Sequence, residues 1–150
     1  TPFQLFGGKK GSMATFVVAA YMKSVPMIYN GQEVGYNTNI NFFNKEPINW
    51  GVADYQLLKE YKKIIKFRNE SNAIRRGRLT GFSSNDVSAF TMEINQEKVL
   101  VISNLRNKTI KYTSSSALTS IVWKDAFSNA SVQLETALTL EPFQYLILKN

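Results

Sequence analysis

The sequence predicts two units in series: an α/β segment built as helix, strand and helix over residues 1–71, and an all-β antiparallel sandwich over residues 72–150. Three observations predict them. A nearly continuous apolar helix pattern over residues 13–23 runs straight into the short apolar run Val25 to Tyr29, the helix-to-strand joint of α/β proteins. An amphipathic helical stripe then occupies residues 55–69. After Ser71 the hydrophobic period drops to two and turn formers recur at short intervals, the pattern of a β-sandwich.

Thr1 to Gly11 reads as a glycine-bearing loop, with Ser12 placed to cap a helix over Met13 to Lys23. Met13, Ala14, Phe16, Val17, Val18, Ala19 and Ala20 leave that helix almost no polar face, so burial on more than one side is expected. Ser24-Val25-Pro26 ends it and Met27 to Asn30 follows as a strand. Gly31 to Asp54 is a long polar connection studded with Phe42, Phe43 and Trp50, of a length that is usually functional or disordered. Asp54 is the expected cap of a helix over Tyr55 to Asn69 whose buried stripe is Leu57, Leu58, Tyr61, Ile64, Ile65 and Arg68.

The strands expected beyond Ser71 are Arg78 to Phe82, Val87 to Ile94, Lys98 to Leu105, Thr109 to Thr113, Ser120 to Ala126, Ser131 to Leu134, Ala137 to Leu140 and Phe143 to Leu148. Phe90, Met92 and Ile94 alternate with Ala89, Thr91 and Glu93, as on a half-buried strand.

Composition narrows the chemistry. The chain is 44% hydrophobic and 13% aromatic, enough for a packed core. It has no cysteine and no histidine, which excludes disulfides, cysteine nucleophiles, a Ser-His-Asp triad and zinc held by thiolate or imidazole. Acid and base work is left to carboxylates, lysines and tyrosines, with only 11 Asp plus Glu.

The net charge of +7 raises nucleic acid as a partner, yet Lys9-Lys10, the lysines at 59, 62, 63 and 66, and Arg75, Arg76 and Arg78 form three separate groups. No stacking aromatics accompany them, so they read as solvated surface and no nucleic acid is expected. The apolar run from Met13 to Tyr29 is interrupted by Lys23 and Pro26, short of the ~20 residues that span a membrane. Gly7-Gly8-Lys9-Lys10-Gly11-Ser12 lacks the order and spacing of a phosphate loop.

The segment VPMIYNGQEVGY carries the most information. Its Pro26, Tyr29, Gly31, Glu33 and Gly35 resemble the eighth barrel strand of the alpha-amylase family, glycoside hydrolase family 13, with Ser24 standing where that motif usually has glycine. The resemblance continues through Gly11-Ser12-Met13, Glu60 to Ile65, Phe67-Arg68, Val99 to Val101 with Asn104, Trp123-Lys124-Asp125, and Phe143 to Leu148. Within the family the chain is most similar to the starch-degrading amylases of Bacteroidetes-type bacteria.

That resemblance implies a specific organisation. Residues 1–71 would be the last helices and eighth strand of a (β/α)8 barrel, and residues 72–150 the Greek-key sandwich called domain C. The parent would cleave α-1,4-glucosidic bonds of starch or maltooligosaccharides with retention, using two Asp and one Glu at the ends of the fourth, fifth and seventh strands. All three would precede Thr1, so no residue of this chain inherits a catalytic role and the piece alone is expected to be inactive scaffold. Calcium is implied for the parent, with its ligands upstream. No cofactor or metal is expected in this segment. Family members point to an extracellular, periplasmic or outer-membrane setting, which the chain itself, opening on Thr1-Pro2, does not specify.

Three residues are candidates for a place near the substrate: Glu33, Gln32 and Trp50. Glu33 either holds a cationic or hydrogen-bonding neighbour close to the nucleophile or satisfies loop amides at the strand end. Trp50, like Phe42 and Phe43, either stacks on a pyranose face or packs the loop onto the barrel. In the β-unit, Tyr112, Trp123 and Tyr145 read as a glycan platform or, more simply, as core. A stand-alone carbohydrate-binding or structural β-sandwich is the rival reading of the whole. With its neighbouring strands missing, Met27 to Tyr29 is also expected to make the isolated piece self-associate.

Overall fold

The computed structural model of the chain describes residues 1–39, 41 and 43–150. A short helix, α1 (Pro2–Leu5), turns through Gly7, φ 79°, into α2 (Gly8–Tyr21). Helix α2 therefore begins before the expected start at Met13. Ser12 is not its cap but a buried residue within it. The reason lies in Gly11, where a Cβ would sit 1.6 Å from the carbonyl oxygen of Phe6. The glycines that read as a loop are what let the two helices touch. Met13, Ala14, Phe16, Val17, Ala20 and Tyr21 are all buried, as the apolar pattern requires.

The strand expected over Met27 to Asn30 does not form. Val25 and Met27 stand 92% and 77% exposed, and among the described residues no strand lies beside them. A single extended segment gains no ladder bonds and leaves its backbone groups to water, so β-structure there needs neighbours from elsewhere.

Two single 3-10 turns, Gln32–Val34 and Trp50–Val52, punctuate the long connection that follows. Asp54 then caps α3 (Tyr55–Glu70), accepting from the amides of Gln56 and Leu57 at 3.1 and 3.0 Å. Leu57, Tyr61 and Ile64 form the buried seam of α3. An unexpected one-turn helix, α4 (Asn72–Arg76), follows at once because Ser71 Oγ caps it, receiving the Ile74 amide at 3.2 Å. Gly77 ends it where no larger residue fits: a Cβ would lie 2.3 Å from the Ala73 carbonyl oxygen and 2.8 Å from the Glu93 nitrogen.

The strands are β1 (Arg78–Gly81), β2 (Val87–Ile94), β3 (Glu97–Asn104), β4 (Ile110–Thr113), β5 (Trp123–Asp125), β6 (Ser131–Val132), β7 (Ala137–Leu140) and β8 (Tyr145–Lys149). Eight strands occupy the eight expected places, with ends shifted or trimmed by up to three residues, and a one-turn helix, α5 (Ser116–Thr119), precedes β5. A six-stranded antiparallel sheet in the order β1-β2-β3-β8-β5-β6 is accompanied by the pair β4-β7. The chain leaves the large sheet after β3 and returns to lay β8 beside it, the long return of Greek-key sandwiches.

The large sheet is buried on both faces. Phe90, Met92, Val99, Val101 and Ile147 point into a core shared with Met13, Phe16, Val17, Tyr21, Tyr61 and Ile64 of the helices. Val87, Ala89, Leu100, Ile102 and Leu148 point the other way, onto Tyr112, Leu118, Trp123, Leu134 and Leu140. The alternation in β2 is real, but it separates two cores rather than core from water.

Asn104 is fully buried at the end of β3. Its Nδ2 donates to the carbonyls of Lys108 and Glu141, both at 2.8 Å, and its Oδ1 accepts from the Arg106 amide at 2.9 Å. One side chain thus satisfies the backbone of two loops. Among the described residues no helix is long and apolar enough to cross a membrane.

Candidate functional site

The unpaired segment Val25 to Tyr29 ends in a tight turn built by two glycines. Gly31 and Gly35 take φ of 85° and 81°, the left-handed conformation that a residue with a Cβ adopts only at a cost, and they bracket the turn Gln32–Val34. Around it lies a cleft of about 350 Å³ lined by Tyr29, Asn30, Gln32, Tyr36, Thr38 and Asn39, with Thr1 and Pro2 at its edge. Two phenol rings and a ring of amides and hydroxyls are groups suited to polyols: apolar faces for C–H groups, donors and acceptors for hydroxyls.

Gln32 lines this cleft, but its side-chain ends are engaged inside the protein. Nε2 donates to the Tyr61 hydroxyl at 2.9 Å, and Oε1 accepts from the Tyr29 amide at 3.1 Å. It ties the turn to α3. Burial pushes the Tyr61 hydroxyl above its usual range, the hydrogen bond from Gln32 works against that, and the Glu33 charge adds to it. Tyr61 therefore serves this network as a neutral phenol.

Glu33 sits beside that network with Oε2 buried and without a hydrogen-bond partner among the described residues. The loop amides instead bond to backbone oxygens: the Val34 and Tyr36 amides reach the Gly31 carbonyl, and the Asp54 amide reaches the Val34 carbonyl.

Trp50 is half exposed in its own turn and does not line the cleft, and Phe43 is 97% exposed. Phe42 lies outside the described residues. The structure thus brings Gln32 to the cleft and leaves Glu33 behind it and Trp50 away from it. Tyr36, Thr38 and Asn39 complete the lining; their clustering in the run YNTN was the available signal. The platform reading fails for Trp123 and Tyr112. Both are buried, with Trp123 Nε1 donating to the Leu118 carbonyl at 2.8 Å and Tyr112 Oη to the Phe82 carbonyl at 2.7 Å.

No family model matches the chain. Over 98 residues it is 29% identical to "Alpha-amylase 2" of Dictyoglomus thermophilum, a match covering 58% of this chain and 17% of that protein. Over 87 residues it is 31% identical to an amylopullulanase of Thermoanaerobacter thermohydrosulfuricus, covering 57% of this chain and 6% of that protein. The matched part is thus less than a fifth of either curated relative.

Among solved structures, a noncanonic maltogenic alpha-amylase of Thermotoga neapolitana superimposes with a TM-score of 0.75 at 15% identity, over 94% of this chain and 36% of that one. A maltogenic amylase from S. marinus superimposes with a TM-score of 0.73 at 21% identity, over 95% of this chain and 19% of that one. The fold is that of the C-terminal region of amylases, and the curated relatives matched are an alpha-amylase and an amylopullulanase.

Proposed function

We propose that this chain is the C-terminal part of an alpha-amylase-like glycoside hydrolase that cleaves α-1,4-glucosidic bonds of starch or maltooligosaccharides with retention. Residues 1–71 supply the last part of the barrel and residues 72–150 are domain C. The observation that carries the reading is the segment Val25 to Tyr29: apolar, without strand neighbours among the described residues, and ending in a polar, tyrosine-lined cleft. That is the form of an inner barrel strand whose neighbours belong to the rest of the protein and whose carboxyl end faces the site. The finer resemblance to Bacteroidetes-type amylases rests on the overall sequence pattern.

In this reading the chain contributes scaffold, not reacting groups. Retaining hydrolysis needs two carboxyl groups about 5 to 5.5 Å apart across the scissile bond. Among the described residues the cleft lining contains no carboxylate. Glu33 is assigned a positioning role: its buried oxygen accepts from a donor on the upstream barrel and holds that donor near the nucleophile. Gln32 keeps the turn on α3, and Trp50 lies at the outer margin.

Calcium is implied for the parent, with its ligands upstream of this chain. Among the described residues, no three His, Cys, Asp or Glu side chains group to hold a metal ion. The shared core between α2, α3 and the large sheet speaks against a free-standing β-sandwich with a helical appendage.

The test is to express the reading frame containing this chain together with its upstream sequence and to assay reducing ends from soluble starch. NMR of the first released anomers follows. Release of α-anomers supports the proposal; no action on any α-glucan, or release of β-anomers, overturns it.

A further inference from the structure

Among the described residues three non-glycine residues have positive φ: Asn95, Asn129 and Phe143. Asparagine tolerates the left-handed region, and both sit in turns. Phe143, at φ 57°, is a bulky residue in a conformation such residues rarely adopt. Its backbone is held there by its amide donating to the Arg106 carbonyl at 3.1 Å, and by the Gln144 amide donating to the Glu141 carbonyl at 3.0 Å. Its ring is fitted against two glycines of the α2 region: a Cβ on Gly7 or Gly11 would lie 2.6 or 3.0 Å from a ring carbon.

The ring so placed forms one wall of a second cleft, of about 280 Å³, on the seam between α2, α3 and the start of β8. Tyr145 forms another wall. Its hydroxyl donates to the Glu60 carboxylate, which fixes the ring. Met13 and Leu57 add apolar surface. At the rim, Lys9 and Asp54 neutralise each other at 2.6 Å, while the exposed Lys10 and Gln56 have no side-chain partner among the described residues.

We propose that this cleft is a second, non-catalytic α-glucan-binding site, separate from the cleft around Tyr29. Two fixed aromatic rings offer faces to the C–H surfaces of pyranoses. Lys10 and Gln56 offer donors and an acceptor to hydroxyls. With Lys9 paired to Asp54 the lining carries one net positive charge, on Lys10, and it is the two aromatic walls that favour a pyranose over a phosphate or a nucleic acid. The choice of an α-glucan over other glycans rests on the function proposed above.

Isothermal titration of the 150-residue chain with maltoheptaose, and separately with cellohexaose, tests it. Expected is weak, saturable binding of maltoheptaose that falls at least tenfold in Phe143→Asn, whose replacement tolerates the left-handed backbone. Lys10→Ala and Gln56→Ala, both on exposed side chains, should each lower affinity severalfold with an unchanged thermal melt. Undiminished binding in Phe143→Asn and in both rim variants, or no maltoheptaose binding at all, overturns the site. Neither result touches the hydrolysis assay on the longer protein. Equal binding of cellohexaose overturns the α-glucan assignment.

Discussion

Ser103 Oγ donates to the carbonyl oxygen of Ala14 at 2.9 Å, a buried hydrogen bond between residues 89 apart in sequence. It joins the middle of α2 to the end of β3, so the helices and the sheet are coupled by a polar contact as well as by apolar packing. Ser103 is fully buried, and Ser103→Ala should cost about 1 kcal/mol, the usual net worth of one such bond. For a chain of this length the melting temperature should drop by about 2 to 4 °C. A thermal melt followed by circular dichroism checks this, and no shift would mean the contact is not made in solution.

Asp54 predicts a pH dependence. Its pKa is lowered, first by the hydrogen bond from Lys9 and next by that from the Leu57 amide, so the folded state favours the carboxylate. The stabilisation is present above the unfolded value of about 3.9 and is lost as pH falls through the lowered folded value. Asp54→Asn keeps a capping acceptor but removes the charge. Its melting temperature should start lower at pH 7 and converge on the wild type in acid. Parallel curves at every pH would show that the pair contributes nothing.

Glu33→Gln, made in the full parent enzyme, should lower kcat while leaving the melting temperature almost unchanged. The carboxylate is proposed to orient a group outside this chain, and the turn's own amides are satisfied by backbone oxygens. Measuring kcat, KM and melting on one preparation separates the roles. A lower melting temperature with kcat preserved would make Glu33 structural.

The isolated chain should self-associate and should not hydrolyse maltoheptaose. Val25 at 92% and Met27 at 77% exposure form apolar surface on backbone that has no strand partner among the described residues. Sedimentation over a range of concentrations should show dimers or larger species. Val25→Lys with Met27→Lys should return the chain to monomer, and a wild type that is monomeric throughout would refute the expectation. Reducing-end assays on the same samples should stay at background.

Much of this architecture was legible in local sequence. Alternation and turn formers located all eight strands of the sandwich, and Asp54 marked the start of α3, because these depend on contacts a few residues long. Gly31 and Gly35 stood out as motif residues, and the structure shows what they do there, taking the positive φ of the turn that shapes the candidate cleft.

Three things were decided only in three dimensions. Whether Met27 to Tyr29 is a strand depends on neighbours, and its composition carries no information about their presence. Whether Gly11 and Gly77 are loop residues or points of closest approach depends on what packs against them, here the Phe6 carbonyl and the Glu93 backbone. The roles of Gln32, Trp50 and Phe143 also arose from packing: Tyr61 engages Gln32, the exposed turn carries Trp50 away from the cleft, and Arg106 and Glu141 hold the backbone that turns Phe143 into a wall. Residue type and spacing set what this chain can form locally, and the long-range contacts selected which of those groups face a common space.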